Sequence, residues 1–561
     1  MPAEEGGGRS DTAVLFASPW GLEEISTRKF RRLLAEELSK QGMASLRFDY
    51  PGTGDALDPP DFRAGSRVWE DSIVAAAEVL RSAGYGRLIV VAQGLGTALA
   101  LGAARRIPCL DGMALLAPVL SGRMYLRELS VWAKVVDGYL QIEEEHRVRQ
   151  GTAIAGLTMP EDVAVDIRKL DLKQIPYRVA DECLVLTHAG QTGGREFAAH
   201  LRGFGTRVEE GTFAGYQELV ANPLVSRIPL DVVSEIVSWS NRHKTVSPKE
   251  GTEAERAFAP PNPLSGEGFE ETPVRFGKGH RLYGVLCLPA GERIGATALI
   301  LGSAYDRHSG WGRLATETAR RLAASGIASL RFDAANVADS PPLAGAPLLV
   351  LYDDTQQTDV SEALDYIESR KLSPAIAVGR CSGAYLAFRS ALTDRRLRGL
   401  VAANPYTFYW DAAHPYDPAS TPQPLKTYGR KIFDIGTASR LLKGEIGVRR
   451  SLSKVGSAVQ KGLWDFLGSK VGFDFLKTKE QKETISGFWS LLKENIEVFL
   501  IYSSKDAGLD NIVKIFRIDA PRMIGFDNAR VDVVEGADHN LTPGFARKLF
   551  QDRIFDMASK F

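Results

Sequence analysis

Ala375-Ile-Ala-Val-Gly-Arg-Cys381-Ser-Gly-Ala-Tyr-Leu-Ala-Phe388 decides how the rest of the chain is read. Ala375 to Val378 is a short apolar run with β-branched members, the pattern of a buried strand. Ala384 to Leu392 is rich in alanine and leucine and reads as a helix. Between them, Gly379-Arg380-Cys381-Ser382-Gly383 fits G-x-C-x-G. A chain that turns sharply from strand into helix needs glycine on both sides of the turn, because side chains there would collide. The residue at the tip is held in a strained conformation with its side chain presented outward. Cys381 takes that tip, as in a nucleophile elbow with cysteine for serine. The backbone N–H of Ser382 is then an oxyanion donor. The plainer alternative is a small core cysteine on a glycine-rich turn, so other landmarks must decide.

Working outward, residues 42–49 read Gly-Met-Ala-Ser-Leu-Arg-Phe-Asp and residues 326–333 read Gly-Ile-Ala-Ser-Leu-Arg-Phe-Asp, seven of eight identical at an offset of 284. A match of that length at domain-sized distance points to an internal duplication. Before each copy lies an amphipathic helix, Phe30 to Lys40 and Leu314 to Ser325. Before each helix lies an apolar strand, Ala13 to Ala17 and Ala296 to Leu301. Strand, helix, strand is a βαβ unit, so two α/β domains with mostly parallel sheets and flanking helices are expected.

The second copy carries Asp506 just after the apolar strand Val498 to Ile501, and His539 in the later Gly536-Ala-Asp-His539 loop. The first copy has Gly94 at the elbow, Gln191 at the acid position and Gly215-Tyr-Gln-Glu218 at the last landmark. Cysteine, aspartate and histidine are thus all present in one copy and all absent from the other, which a structural role would not produce. His188, one step past a strand of the first copy, reads as structural. Residues 1–242 form the degenerate domain, 243–272 a Pro/Gly-rich polar linker, and 273–561 the catalytic domain. Val274 to Leu288 alternates and reads as an antiparallel hairpin at the sheet edge. Each copy carries a helical cap insertion. The second, at about 410–492, has Leu452, Val455, Val459, Leu463, Phe466 and Leu467 at helical spacing. Residues 425–482 hold 13 Lys/Arg against 5 Asp/Glu, a basic cap or simply a solvated face.

With 561 residues the chain is long enough for two domains. Lys+Arg and Asp+Glu are both 69, which argues against a dedicated nucleic-acid binder. The four cysteines are widely spaced and suggest neither a disulfide framework nor a zinc site, and no cofactor is called for. The first residues lack the apolar core of a secretory signal. No run approaches a membrane span, so a cytoplasmic setting, where a free thiol stays reduced, is expected.

The pattern resembles the α/β-hydrolase superfamily, twice over, across nearly the whole chain. Pro51-Gly-Thr-Gly54-Asp55 and Arg331-Phe-Asp-Ala-Ala-Asn336 look like the segment after strand four in serine-aminopeptidase-like and exosortase-system-associated hydrolases. Leu441-Leu-Lys-Gly-Glu-Ile-Gly-Val-Arg-Arg450 looks like the latter group. That resemblance implies ester or acyl chemistry connected to glycans or lipids. The departures are the cysteine and the fused second copy. Cysteine at this elbow is found in dienelactone hydrolases and in polyhydroxyalkanoate synthases, which transfer acyl groups through thioesters.

The order Cys381, Asp506, His539 is nucleophile, acid, base. His539 would take the thiol proton and return one to the leaving group, and Asp506 would hold the imidazole. Ser303 or Ala304, after the strand ending at Leu301, would supply the second oxyanion N–H beside Ser382. His308 and Arg380 are candidate substrate-binding residues. Expected substrates are acyl esters or thioesters, with acyl carrier protein, acyl-coenzyme A, an anionic glycan or an anionic membrane surface as partners of the basic cap. A homo-oligomer remains open. A non-catalytic binding or scaffold protein on the same fold is the competing reading.

Overall fold

The computed structural model describes residues 10–148, 151–220, 226–245, 262–304, 306–345, 352, 355–410, 478–516 and 527–561. The first half is built on β1 (Thr12–Ala17), β2 (Ser45–Arg47), β3 (Arg87–Gln93), β4 (Leu110–Leu116), the small hairpin β5 (Thr152–Ile154) and β6 (Leu157–Met159), β7 (Glu182–Thr187) and β8 (Arg207–Thr212). Six of these form a wholly parallel sheet in the order β2-β1-β3-β4-β7-β8. Its central strands are continuous apolar runs because helices cover both faces.

The second half contains β9 (Leu264–Gly266), β10 (Phe269–Phe276), β11 (Leu282–Pro289), β12 (Thr297–Leu301), β13 (Ser329–Asp333), β14 (Ala375–Arg380), β15 (Leu397–Ala403), β16 (Glu497–Ser503) and β17 (Ala529–Val534). They run β9-β10-β11-β13-β12-β14-β15-β16-β17 in one sheet. From β13 to β17 the pairing is parallel, and β9, β10 and β11 are antiparallel. Counted from β10, the order is one-two-four-three-five-six-seven-eight with the second strand reversed, the sheet of an α/β hydrolase. The block β13-β12-β14-β15-β16-β17 repeats the order of the first sheet, and the hairpin expected over Val274 to Leu288 is β10–β11.

Two boundaries move. His243 and Thr245, expected in the linker, belong to the first half: the Thr12 hydroxyl donates to the His243 carbonyl at 2.7 Å, and the Asp11 N–H to the Thr245 carbonyl. At the other end, β9 and the start of β10 pair inside the same stretch. Backbone pairing there outweighs a Pro/Gly-rich composition. The helix expected from Phe30 begins earlier, at Leu22, whereas its counterpart Leu314–Ala324 is shorter. Residues 306–310 of the second half are non-helical where the first half has the first turns of its helix.

The first half's insertion contains helix Gly122–Tyr139, the β5–β6 hairpin and helix Glu161–Lys169. Of the second insertion, helix Lys479–Lys493 is seen, opened by a Thr478–Gln481 capping box. The Leu452 to Leu467 stripe and most of the basic stretch lie outside the described residues. Among the described residues no helix is long and apolar enough to cross a membrane.

The halves meet through matched charges. Arg47 pairs with Asp339, and Arg331 pairs with Asp55 at 3.1 Å. Arg331 and Asp339 stand 284 positions after Arg47 and Asp55. Each half therefore offers the same arginine to the same aspartate of the other, the reciprocity of an isologous interface. The Asp55 N–H donates to Asp49 at 3.0 Å and the Asp339 N–H to Asp333 at 3.1 Å, again 284 apart. Arg331 is fully buried and has Glu271 as a second partner at 2.7 Å. Charges so enclosed persist only when paired.

Candidate active site

The turn after β14 is an elbow. Cys381 sits at φ 52, ψ −120 between β14 and helix Ser382–Thr393. A Cβ on Gly379 would lie 2.2 Å from the Gly383 backbone, and one on Gly383 would lie 2.7 Å from the Leu301 and Gly302 carbonyls. Glycine on both sides is what lets the strand and helix close this tightly. The Cys381 N–H donates to Ala403 at 2.9 Å, fixing the tip to β15.

Asp506 follows β16 and His539 follows β17, so both reach the same end of the sheet as Cys381. His539 Nδ1 lies 2.6 Å from Asp506 Oδ2, and the Cys381 thiol is near enough for each of the two groups to shift the other's titration. Asp506 also accepts the Gly508 N–H at 2.8 Å. Burial by itself would push the thiol up. The His539 imidazolium outweighs it, with Arg380 and the Ser382 N–H adding to the effect, and the thiol is lowered overall. Burial pushes His539 down, but Asp506 and the Cys381 sulfur raise it to about 10. Both shifts run toward a thiolate beside an imidazolium.

Three further residues hold this geometry. Asn404, at the end of β15, accepts the Ser503 N–H at 2.7 Å and donates to the His539 carbonyl at 2.9 Å, tying the acid strand to the base loop. Arg380 donates to Asp306 at 2.9 Å and to Asn540. Both terminal nitrogens of its guanidinium are thus bonded within the protein. Asn404, Asp306 and Asn540 carry no sequence signal, because their roles arise only when distant loops meet.

The Ser382 N–H, next to Cys381, is one of the groups that lower its thiol. Ser303 is buried beside the elbow. The Ala304 N–H is already bonded to the Ser382 hydroxyl at 2.6 Å, with Ala304 itself at φ 51. Among the two expected second donors, Ala304 is therefore engaged elsewhere in this state. His308, the other expected substrate-binding residue, is likewise engaged within the protein. It is buried, with Asp55 2.7 Å from Nε2 and Asp333 3.0 Å from Nδ1. Burial would lower it, but the two carboxylates raise it to about 9.

In the first half, Gly94 has nearly the elbow dihedrals of Cys381, φ 55 and ψ −125. A Cβ there would lie 2.3 Å from Glu23 Oε2. Glu23 accepts from Gln93 and from Tyr216, each at 3.0 Å, and burial raises its carboxyl to about 7. Gln191 is bonded to the Pro118 carbonyl, and His188 stacks on Tyr216 with centroids 4.5 Å apart. That end of the first sheet is filled by its own side chains. Among the described residues, Glu143, Glu145 and His146 bring possible metal-ligand atoms within 4.8 Å of one another, with Glu143 already bonded to Lys505.

No protein-family model and no curated protein matches the chain. Similar solved structures include DcsB in complex with a substrate analogue, 14% identical with a TM-score of 0.32. An esterase of Pyrococcus furiosus is also 14% identical with a TM-score of 0.32, and a dienelactone hydrolase of Anabaena variabilis is 10% identical with a TM-score of 0.31. Each of the three covers 52% of this chain and 99%, 92% and 99% of its own length, respectively. At these values the likeness says nothing of chemistry, and the fold rests on strand order and the elbow.

Proposed function

We propose that the second half is an acyl-transfer enzyme of the α/β-hydrolase type and that the first half is its degenerate tandem copy. The reading is carried by one observation, the hydrogen-bonded Asp506–His539 pair set beside Cys381 at the tip of a strained elbow. The Cys381 thiolate attacks an acyl carbonyl, and the new C–S bond leaves a tetrahedral oxyanion. Backbone N–H groups of Ser382 and the Ser303 segment stabilise it. As the C–O or C–S bond to the leaving group breaks, His539 delivers its proton to that group. Water or another acceptor nucleophile then gives His539 a proton, attacks the acyl-cysteine and releases the thiolate.

Esters and thioesters are the proposed substrates. A thioester intermediate passes its acyl group readily to acceptors other than water, so transfer is included with hydrolysis. The basic composition of 425–482 supports an anionic acyl donor or acceptor: an acyl carrier protein, acyl-coenzyme A, a glycan or a membrane surface. The test is turnover on a panel of p-nitrophenyl esters and acyl-coenzyme A thioesters. Wild type should cleave at least one, Cys381→Ala none. Turnover that survives in Cys381→Ala removes the assignment. No turnover together with an unreactive Cys381 leaves a binding scaffold.

A further inference from the structure

We propose that the first half is the positioning scaffold of the second, holding each of the three loops that carry oxyanion donor, acid and base, with Glu143 and His146 as positioning residues. The inference rests on the triad reading of Cys381 and deepens it.

The loop after β12 carries Ser303, and it is clamped from the first half. Arg307 pairs with Asp49 and Asp55, and His308 lies between Asp55 and Asp333. Asp306, next to them, pairs with Arg380 at the elbow. In the loop after β16, Lys505 immediately precedes the acid Asp506. Lys505 Nζ lies 2.9 Å from Glu143 of the first half. The loop after β17 opens at Gly536, φ +70, and ends on His539. A Cβ on Gly536 would lie 2.9 Å from His146 Nε2. The His146 ring also packs on Phe545, centroids 4.8 Å apart, at the start of helix Gly544–Ala558. Glu143 and His146 belong to one short turn, so a single piece of the first half touches both the acid loop and the base loop.

Loops move independently unless something pins them, and a hydrogen-bonded catalytic line tolerates only about 0.5 Å of drift. A common body against all three loops fixes their mutual distances. Glu143 and Lys505 are both well exposed, and a pair of that kind is individually weak. The expected effect of losing the contacts is therefore a shift in reactivity rather than unfolding.

The test uses the full chain and follows alkylation of Cys381 by iodoacetamide from pH 5 to 11, read by peptide mass, with exposed Cys109 as internal control. The groups facing the thiol and its base are Asp506, Arg380 and, through Arg380, Asp306. In Glu143→Ala/His146→Ala, the Cys381 rate at pH 6 to 7 should fall at least threefold while Cys109 is unchanged. Above pH 10, where the thiolate no longer needs the imidazolium, the two proteins should agree. Glu143→Gln, which keeps the side chain's reach but loses its charge, should move the same way by less, and it serves if the double variant does not fold. A profile that superimposes on wild type in a folded variant overturns the proposal. A wild-type Cys381 no faster than Cys109 at pH 6 is a different result and overturns the triad reading itself.

Discussion

At Cys381 the backbone has adopted a conformation that a non-glycine residue holds only when its surroundings enforce it. Cys381→Ser keeps that place with a weaker nucleophile, so a small residual turnover is expected where Cys381→Ala gives none. Gly94→Ser should yield no activity in the first half, because its Cβ meets Glu23 and no acid–base pair is at hand. A rate from Cys381→Ala/Gly94→Ser would contradict both statements. Asn404 is fully buried and bonds the acid strand to the base loop, so Asn404→Ala should cost about 2–3 kcal/mol in urea unfolding and lower turnover. An unchanged midpoint would remove its bridging role. That Cys381, Asp506 and His539 come to one end of the sheet was legible in the sequence, because each follows a short apolar run or a glycine turn. Asp306 and Asn540 were not, since only tertiary pairing brings them to Arg380.

The element that the sequence read least well is the loop after β12. His308 reads as a substrate ligand when the loop is considered alone, because the carboxylates that claim it come from Asp55, 253 positions away, and Asp333. Its pairing makes the interface sensitive to pH. Unfolded histidine titrates near ~6.5, and His308 in the fold is raised to about 9. Its contribution to stability is therefore fully present below ~6.5 and is lost as pH rises through about 9. The urea midpoint of wild type should fall between pH 7 and 9.5. His308→Gln should start lower and show a shallower fall. Parallel slopes in the two proteins would show that His308 is not the group responsible.

For the molecule as a whole, the repeated Leu-Arg-Phe-Asp segment turned out to hold both halves together, through the arginine of each copy and an aspartate of the other. The repeated segment was legible as sequence identity, but the reciprocal pairing was not, because nothing in one dimension says which aspartate an arginine will meet. Cutting the chain exposes these groups. Residues 262–561 expressed alone should leave Arg331 and Arg307 without Asp55, and should be less stable and less active than the full chain. A fragment with full stability and full activity would make the first half dispensable. The central claim, an acyl group carried on Cys381, is tested most directly by trapping it. A reactive acyl ester is mixed with the protein, quenched in acid within the first turnover, and mapped by peptide mass. One acyl adduct is expected, on the peptide containing Cys381, absent in Cys381→Ala and accumulating in His539→Ala more slowly than in wild type. Turnover with no adduct on Cys381, or with the adduct on another residue, would contradict it.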